Sequence, residues 1–370
     1  MAQLFEADFQ GSGSALTTGP TKREDLADWI SLIDAKDTPL TSMIPKGKDL
    51  GNMFHRWSAD EYEATTTKGF RDGKDAVDTA DAALGNAVSH GATYAPYIQS
   101  HARNREELSN YAQYFRRATK VSPLAASVTN PVGGKNLLAQ GIAKKTVELK
   151  RDMEASFLSD NEPLKETTGG SGIPYQTRAL GQWINPAPSA GDAAVPADFK
   201  TPGASAVDVG TATTTPDFSE ALVQGVLESI YGETGSTRTY DLICGTKIKR
   251  AFTNLTATDT VDSALVDAED TGYSATKVRT FNQELGNTKF KNTITVFEGD
   301  FGTLNIHVDN FVPEVVRGYV IPMEMAEMRY GMLPRVQSIP NSGSGEGRIV
   351  EAVASLVVKN PKGFGKFGSA

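Results

Sequence analysis

The chain has 370 residues, with 37 lysines and arginines against 45 aspartates and glutamates, a formal charge of −8, and 39% hydrophobic and 22% charged residues. This balance excludes a wholly disordered chain, and no apolar run approaches the roughly 18 residues of a membrane span. The single cysteine, Cys244, excludes an internal disulfide framework and any CxxC zinc or redox site. The expectation is a soluble, folded protein of about two or three domains, from a reducing compartment or indifferent to redox.

The opening MAQLFEADFQGSGSAL sets acidic residues where a secretory signal has positive charge, so export by that route is not expected. The first twenty residues are rich in Gly, Ser and Thr without periodicity and read as an arm that needs a partner to be ordered. Thr21 and Glu24 have capping-box spacing, and Leu26, Trp29, Ile30 and Ile33 share a side, predicting a short helix over about 22–33 that ends at Asp37-Thr38-Pro39. Met53 to Trp57 reads as a strand and Thr93 to Ser100 as a second extended stretch. Between them lie residues rich in Thr, Gly, Ala and Asp, and so long a polar excursion suggests a projecting hairpin loop.

From Pro131 to Asp160 a long helix is predicted, with Leu138, Ile142, Leu149, Met153 and Phe157 as its apolar stripe. Lys144 with Glu148, and Lys150 with Glu154, stand at i,i+4 as ion pairs on other faces. Glu166 to Gly172 reads as a flexible joint and domain boundary. A second helix starts at Pro216-Asp217 with Glu220, carries Phe218, Leu222, Val226, Leu227 and Ile230, and ends near Gly232 to Gly235. Residues 292–308 alternate on both sides of Gly299 to Gly302 and predict a hairpin, and Arg348 to Lys359 predicts a late strand. The order is α+β without βαβ repetition.

Charge is uneven. Residues 189–270 hold thirteen acidic and five basic residues, the whole excess, so the remainder balances thirty-two of each sign. Duplex recognition needs a concentrated basic patch, whereas Arg103, Arg105, Arg116, Arg117 and Lys120 are interleaved with Glu106 and Glu107 and read as a solvated or subunit-contact face. The four histidines, His55, His90, His101 and His307, have no metal-ligand spacing. Gly133-Gly134-Lys135-Asn136 lacks the first glycine and the hydroxyl of a phosphate loop and reads as a helix N-terminus. Asp300-Phe301-Gly302 has no kinase context and reads as a tight turn, and Cys244 as a small buried apolar residue. No catalytic, cofactor-binding or metal residue is expected, and the chain is not expected to be an enzyme. The alternative is a hydrolase or transferase whose site is built from scattered acidic residues and His.

Three groups of residues, in order, resemble the tailed-bacteriophage major capsid proteins with the HK-ninety-seven-like fold. The first is Lys22 to Leu26 with Asp28 and Ile30, then Asp37 to Leu40 with Ser42, Ile44 and Lys46, and the strand ending at Trp57. The second is Val121-Ser122, Glu148 to Glu154, and Gly181 to Ile184. The third is Asp300 to Gly302 with Leu304 and Ile306, then Glu351, Ser355, Leu356, Val358, Asn360 and Pro361. The resemblance implies an N-terminal arm over 1–48, an extended loop over 49–112, a peripheral domain over 113–170 with a spine helix over about 131–160, an axial domain over 171–324, and a C-terminal return over 325–370. It implies a structural major head protein that self-assembles from pentameric and hexameric capsomers into an icosahedral shell around double-stranded DNA. The implied partners are further copies of itself, portal and scaffolding or decoration proteins, and packaged DNA held non-specifically, with no membrane; the implied location is the virion capsid, assembled in the bacterial host cytoplasm. Pro186 to Pro216 looks like an added surface element, and Trp57 is expected at the hairpin base, against a neighbouring subunit or the spine helix.

Overall fold

A computed structural model describes Asp34 and residues 36–60, 105–127, 136–167, 172–188, 194–209, 218–255, 294–340 and 343–368. The expected helix at 22–33, the stretch 93–100, the polar excursion over 64–91, His90 and His101 lie outside these residues.

The chain divides into two units. The smaller takes in Arg116–Leu149 and Arg335–Glu351; the larger takes in Asp37–Phe115, Lys150–Pro334 and Ala352–Ala370. The long helix is α3 (Leu137–Leu158), and three of the strands are β3 (Gln113–Val121), β9 (Ala326–Ser338) and β10 (Glu346–Val358). These three strands form one sheet in the order β3-β10-β9. In the smaller unit, Asn136 Oδ1 accepts the Ala139 N–H at 3.0 Å and starts α3, so the helix begins at its cap and not at Pro131. α2 (Pro123–Ser127) is opened in the same way by Ser122, whose hydroxyl accepts from Ala125 N at 3.2 Å.

In the larger unit, a six-stranded sheet runs β4-β11-β8-β5-β7-β6, where β4 is Ala206–Val207, β5 Arg238–Cys244, β6 Val296–Gly299, β7 Gly302–Val308, β8 Gly318–Ile321 and β11 Gly365–Phe367. β5 lies parallel to β7 and antiparallel to β8. The expected hairpin is present: β6 pairs antiparallel with β7 around the two-residue turn Asp300-Phe301. A Cβ on Gly302 would come within 2.7 Å of the Arg238 carbonyl, which is why glycine opens β7. Helices α5 (Glu220–Thr234) and α6 (Thr246–Leu255) cover the sheet: Val223, Val226, Leu227, Ile230, Ile248 and Phe252 meet Tyr240, Leu242, Leu304, Ile306, Val320 and Phe367 in one core. α5 starts later than Pro216 because Ser219 caps it, accepting from Leu222 N, and it ends at Gly235 with φ 66°, the left-handed residue that stops a helix.

A two-stranded antiparallel sheet joins β1 (Phe54–Ala59) to β2 (Glu106–Tyr111), with Phe54 opposite Tyr111 and Ala59 opposite Glu106. The described partner of the first strand is therefore 106–111, farther along the chain than 93–100.

The stripe of α3 is corrected. Leu149, Met153, Phe157 and Leu158 are buried, but Leu138 and Ile142 are only half-buried, so the apolar face is confined to the C-terminal half of the helix. The ion pairs differ too: Glu148 binds Lys145 at 2.6 Å, an i,i+3 contact, and Glu154 is wholly buried.

Candidate functional site

No described constellation has the form of an active centre. His307 Nε2 lies 3.2 Å from Asp241 Oδ1, and Asn305 Nδ2 donates to the same oxygen at 3.3 Å, so the histidine is held by a carboxylate. Cys244 donates to the His307 main-chain carbonyl at 3.5 Å, and burial pushes its thiol up to about 12, leaving it a neutral core residue as its sequence context suggests. His55 stands on a different sheet. Among the described residues no three His, Cys, Asp or Glu converge as a metal site, and no helix is long and apolar enough to cross a membrane.

The polar chemistry of the larger unit serves instead to hold extended segments. At the foot of β1 and β2, Asn110 is fully buried and uses its whole amide. Its Oδ1 accepts from Tyr111 N and Arg178 N, both at 2.8 Å, and its Nδ2 donates to Leu356 O at 2.7 Å and Thr177 Oγ1 at 3.1 Å. One side chain thus ties β2 to the 177–178 segment and to β10. Ser355 adds a bond from its hydroxyl to Tyr111 O at 3.1 Å and lies 3.4 Å from His55 Nε2. Burial first, then the nearby Arg329 charge, pushes His55 down to about 4, so the imidazole is neutral at pH 7.

Trp57 belongs to the same junction. Its Nε1 donates to Val358 O at 3.1 Å, and its ring stands 5.6 Å from that of Trp183 and 5.5 Å from His55. It is a half-buried anchor within its own subunit, against α4 (Leu180–Trp183) and the end of β10 rather than the spine helix. The buried guanidinium of Arg178 lies 4.8 Å from the Trp183 ring on the other side of this aromatic group.

A second junction holds residues 38–50. Helix α1 (Pro39–Met43) has Thr38 at its N-cap with no capping bond from that side chain. Glu154 of α3 supplies the acceptors: Leu40 N donates to its Oε1 at 2.6 Å and Thr41 N to its Oε2 at 2.8 Å. A carboxylate at a helix start meets unpaired N–H groups and the positive end of the helix dipole together. Leu40 and Ile44 are buried beside it. Farther along, residues 45–50 run beside β9: Gly47 N donates to Met328 O and Leu50 N to Tyr330 O, each at 2.9 Å. The lower part of that strand's edge is covered by the chain's own extended segment.

The far end of α3 is fixed to the six-stranded sheet. Tyr319 Oη donates to Leu158 O at 2.8 Å, and Asp160 pairs with the buried Arg317. Sequence reasoning missed the roles of Asn110 and Glu154, because no local signal marks a polar residue whose partners stand in distant parts of the chain.

The described residues thus set a long helix, bound at its C-terminal end to a helix-backed sheet, beside an extended antiparallel ribbon and a short segment over 38–50, both held by buried polar side chains. The cyanophage A-1(L) capsid subunit is similar over 94% of this chain and 98% of that chain, with a TM-score of 0.57 at 10% identity. The capsid of cyanophage P-SCSP1u is similar over 100% of this chain and 99% of that one, with a TM-score of 0.55 at 7% identity. In sequence, the chain is 28% identical over 138 residues to the major capsid protein of Escherichia phage Phieco32, a match covering 37% of this chain and 33% of that relative. The SU10 major capsid protein family model matches residues 8–369, and the chain belongs to that family. It is a structural, mixed helix-and-strand capsid protein.

Proposed function

We propose that this chain self-assembles, as pentameric and hexameric capsomers, into the icosahedral shell that encloses the double-stranded DNA of a tailed phage. The observation that carries this reading is the ribbon β1/β2: its foot is fixed by the fully satisfied Asn110, while the chain between the two strands, residues 60–105, is far too long and polar for a tight hairpin. A loop that cannot bury a face of its own gains order from neighbours. In this reading residues 1–48 are the arm, 49–112 the extended loop, 113–170 the peripheral domain, 171–324 the axial domain and 325–370 the C-terminal return. Outside 189–270 the charge is balanced, which suits a wall that contacts DNA without gripping it. Portal and scaffolding or decoration proteins complete the particle, which assembles in the host cytoplasm.

Electron microscopy and sedimentation of the purified full chain test the reading. Capsomers or closed shells are expected; a discrete monomer that turns over a substrate overturns it. Tight, steeply salt-dependent binding to free duplex would replace it with a DNA-binding role.

A further inference from the structure

The even charge outside 189–270 is an average over unlike parts. Residues 116–149 and 335–351 of the smaller unit hold eight basic and three acidic residues, a surplus of five positive charges, whereas the rest of the chain holds 29 basic and 42 acidic residues. Each of the three acids is already matched by a base: Glu148 by Lys145 at 2.6 Å, Glu351 by Arg335 at 2.7 Å, and Glu346 by Arg348. The surplus is therefore Arg116, Arg117, Lys120, Lys135 and Lys144. Lys135 lies outside the described residues, and the other four are exposed.

The fold sorts charges that the sequence interleaves. In the larger unit, Glu107 pairs with Arg56 at 3.0 Å and Arg105 with Asp60 at 2.9 Å, which leaves the basic run of β3 to itself. β3 is the outer strand in the order β3-β10-β9, and side chains alternate along it, so Arg116 and Lys120 stand on one face and Arg117 on the other. On the Arg117 face α3 packs closely, since a Cβ on Gly141 would come within 2.7 Å of Thr119 Oγ1. One turn along that helix, the bond from Lys145 first, and then the Arg117 and Lys144 charges, hold the Glu148 carboxyl below the usual range against the opposing effect of burial, so one carboxylate sits among three cations. From Arg116 to Lys120 is about 13 Å along the strand, or about four base steps of a duplex. Exposed Ala118, Ala139 and Ala143 lie on the same strand and helix. Small residues beside lysine and arginine lack the aromatic anchors of a contact between proteins and leave the basic side chains clear to reach a hydrated, charged surface.

Resting on the capsid reading above, we propose that Arg116, Arg117, Lys120 and Lys144 form the surface by which each subunit meets the phosphates of the enclosed duplex. The acidic remainder of the chain repels the same phosphates and so turns this surface toward them. Four contacts per subunit make each attachment weak, and the number of subunits makes the sum large.

Fluorescence anisotropy of a labelled duplex of about 30 base pairs with the purified full chain tests this. Four phosphate contacts predict a slope of about −3.6 in log affinity against log salt, roughly a hundredfold loss between about 50 and 200 mM. The quadruple variant Arg116→Gln, Arg117→Gln, Lys120→Gln and Lys144→Gln should show a slope near zero while sedimenting as capsomers or shells like the wild type. No salt-dependent binding by the wild type, or an unchanged slope in the variant, overturns the proposal. So does a variant that binds duplex normally but no longer forms capsomers, because the face then belongs to a contact with the acidic surface of another copy. Should the quadruple variant lose its far-UV dichroism, Lys120→Gln with Lys144→Gln decides: the slope should flatten by about 1.8, and no change refutes the surface. A wild type that never forms capsomers refutes the shell reading, and the salt slope still decides the surface.

Discussion

The ribbon foot at Asn110 and the clasp at Glu154 perform the same task with opposite chemistry. Each ties a short stretch of backbone to distant parts of the chain through one wholly buried polar side chain. Asn110 is neutral, and its donors and acceptors are matched one for one, so its junction is indifferent to pH except through the neighbouring His55. Burial first, then Asp309, pushes the Glu154 carboxyl up to about 8, so its junction depends on pH. A permanent attachment is made with an amide, whereas a conditional one is made with a carboxyl that burial has moved off its ordinary range.

The sharpest way to break the contrast is Asn110→Leu. It orphans Tyr111 N, Arg178 N and Leu356 O in a dry site, and at about 1–3 kcal/mol for each unpaired group the loss should exceed about 3 kcal/mol, read as the denaturation midpoint of unassembled subunits. Asn110→Asp keeps both acceptor bonds and should be nearly as damaging, because it removes the donors and buries a charge. Unchanged stability in either variant would mean that the ribbon is held elsewhere.

Trp57→Ala comes next. The ring is half-buried, so the expected cost is about 2 kcal/mol, below the 3–5 typical of a fully buried aromatic, and Trp57→Phe, which loses only the bond to Val358 O, should cost about 1 kcal/mol. Equal losses would show that the hydrogen bond matters and the contact with Trp183 does not.

A pH series sharpens the comparison further. The His55 value is depressed, from 6.5 to about 4, so its contribution is fully present above 6.5 and is lost as pH falls through 4. The Glu154 value is raised, from 4.5 to about 8, so its contribution is fully present below 4.5 and is lost as pH rises through 8. Stability should therefore peak on the mildly acidic side of neutrality. His55→Gln should flatten the acid limb and Glu154→Gln the alkaline limb, each leaving the other intact in thermal melts.

The smallest effect belongs to Arg56→Ala. Its ion pair with Glu107 spans β1 and β2 at 3.0 Å, but both side chains are 59% exposed, and the change should stay within about 0.5 kcal/mol. A larger loss in assembled particles than in free subunits would place Arg56 at a contact between copies.

What the sequence determined by itself was local. The C-terminal half of α3, the α5 helix and its stop at Gly235, the turn at Asp300-Phe301 and the late strand β10 all follow from periodicity, capping and turn residues within a few positions. Only the tertiary structure decided the junctions. Glu154 has the spacing of an exposed partner for Lys150, yet it turns inward because the first N–H groups of α1, with no cap of their own, need an acceptor there. Ile142 continues the same stripe as Phe157 but is only half-buried, whereas Phe157 is fully buried and meets Phe115 edge-on at 6.2 Å. Asn110 carries no periodic signal at all. Its role depends on which groups folding sets opposite a buried amide, and the partners that satisfy it lie far away in sequence.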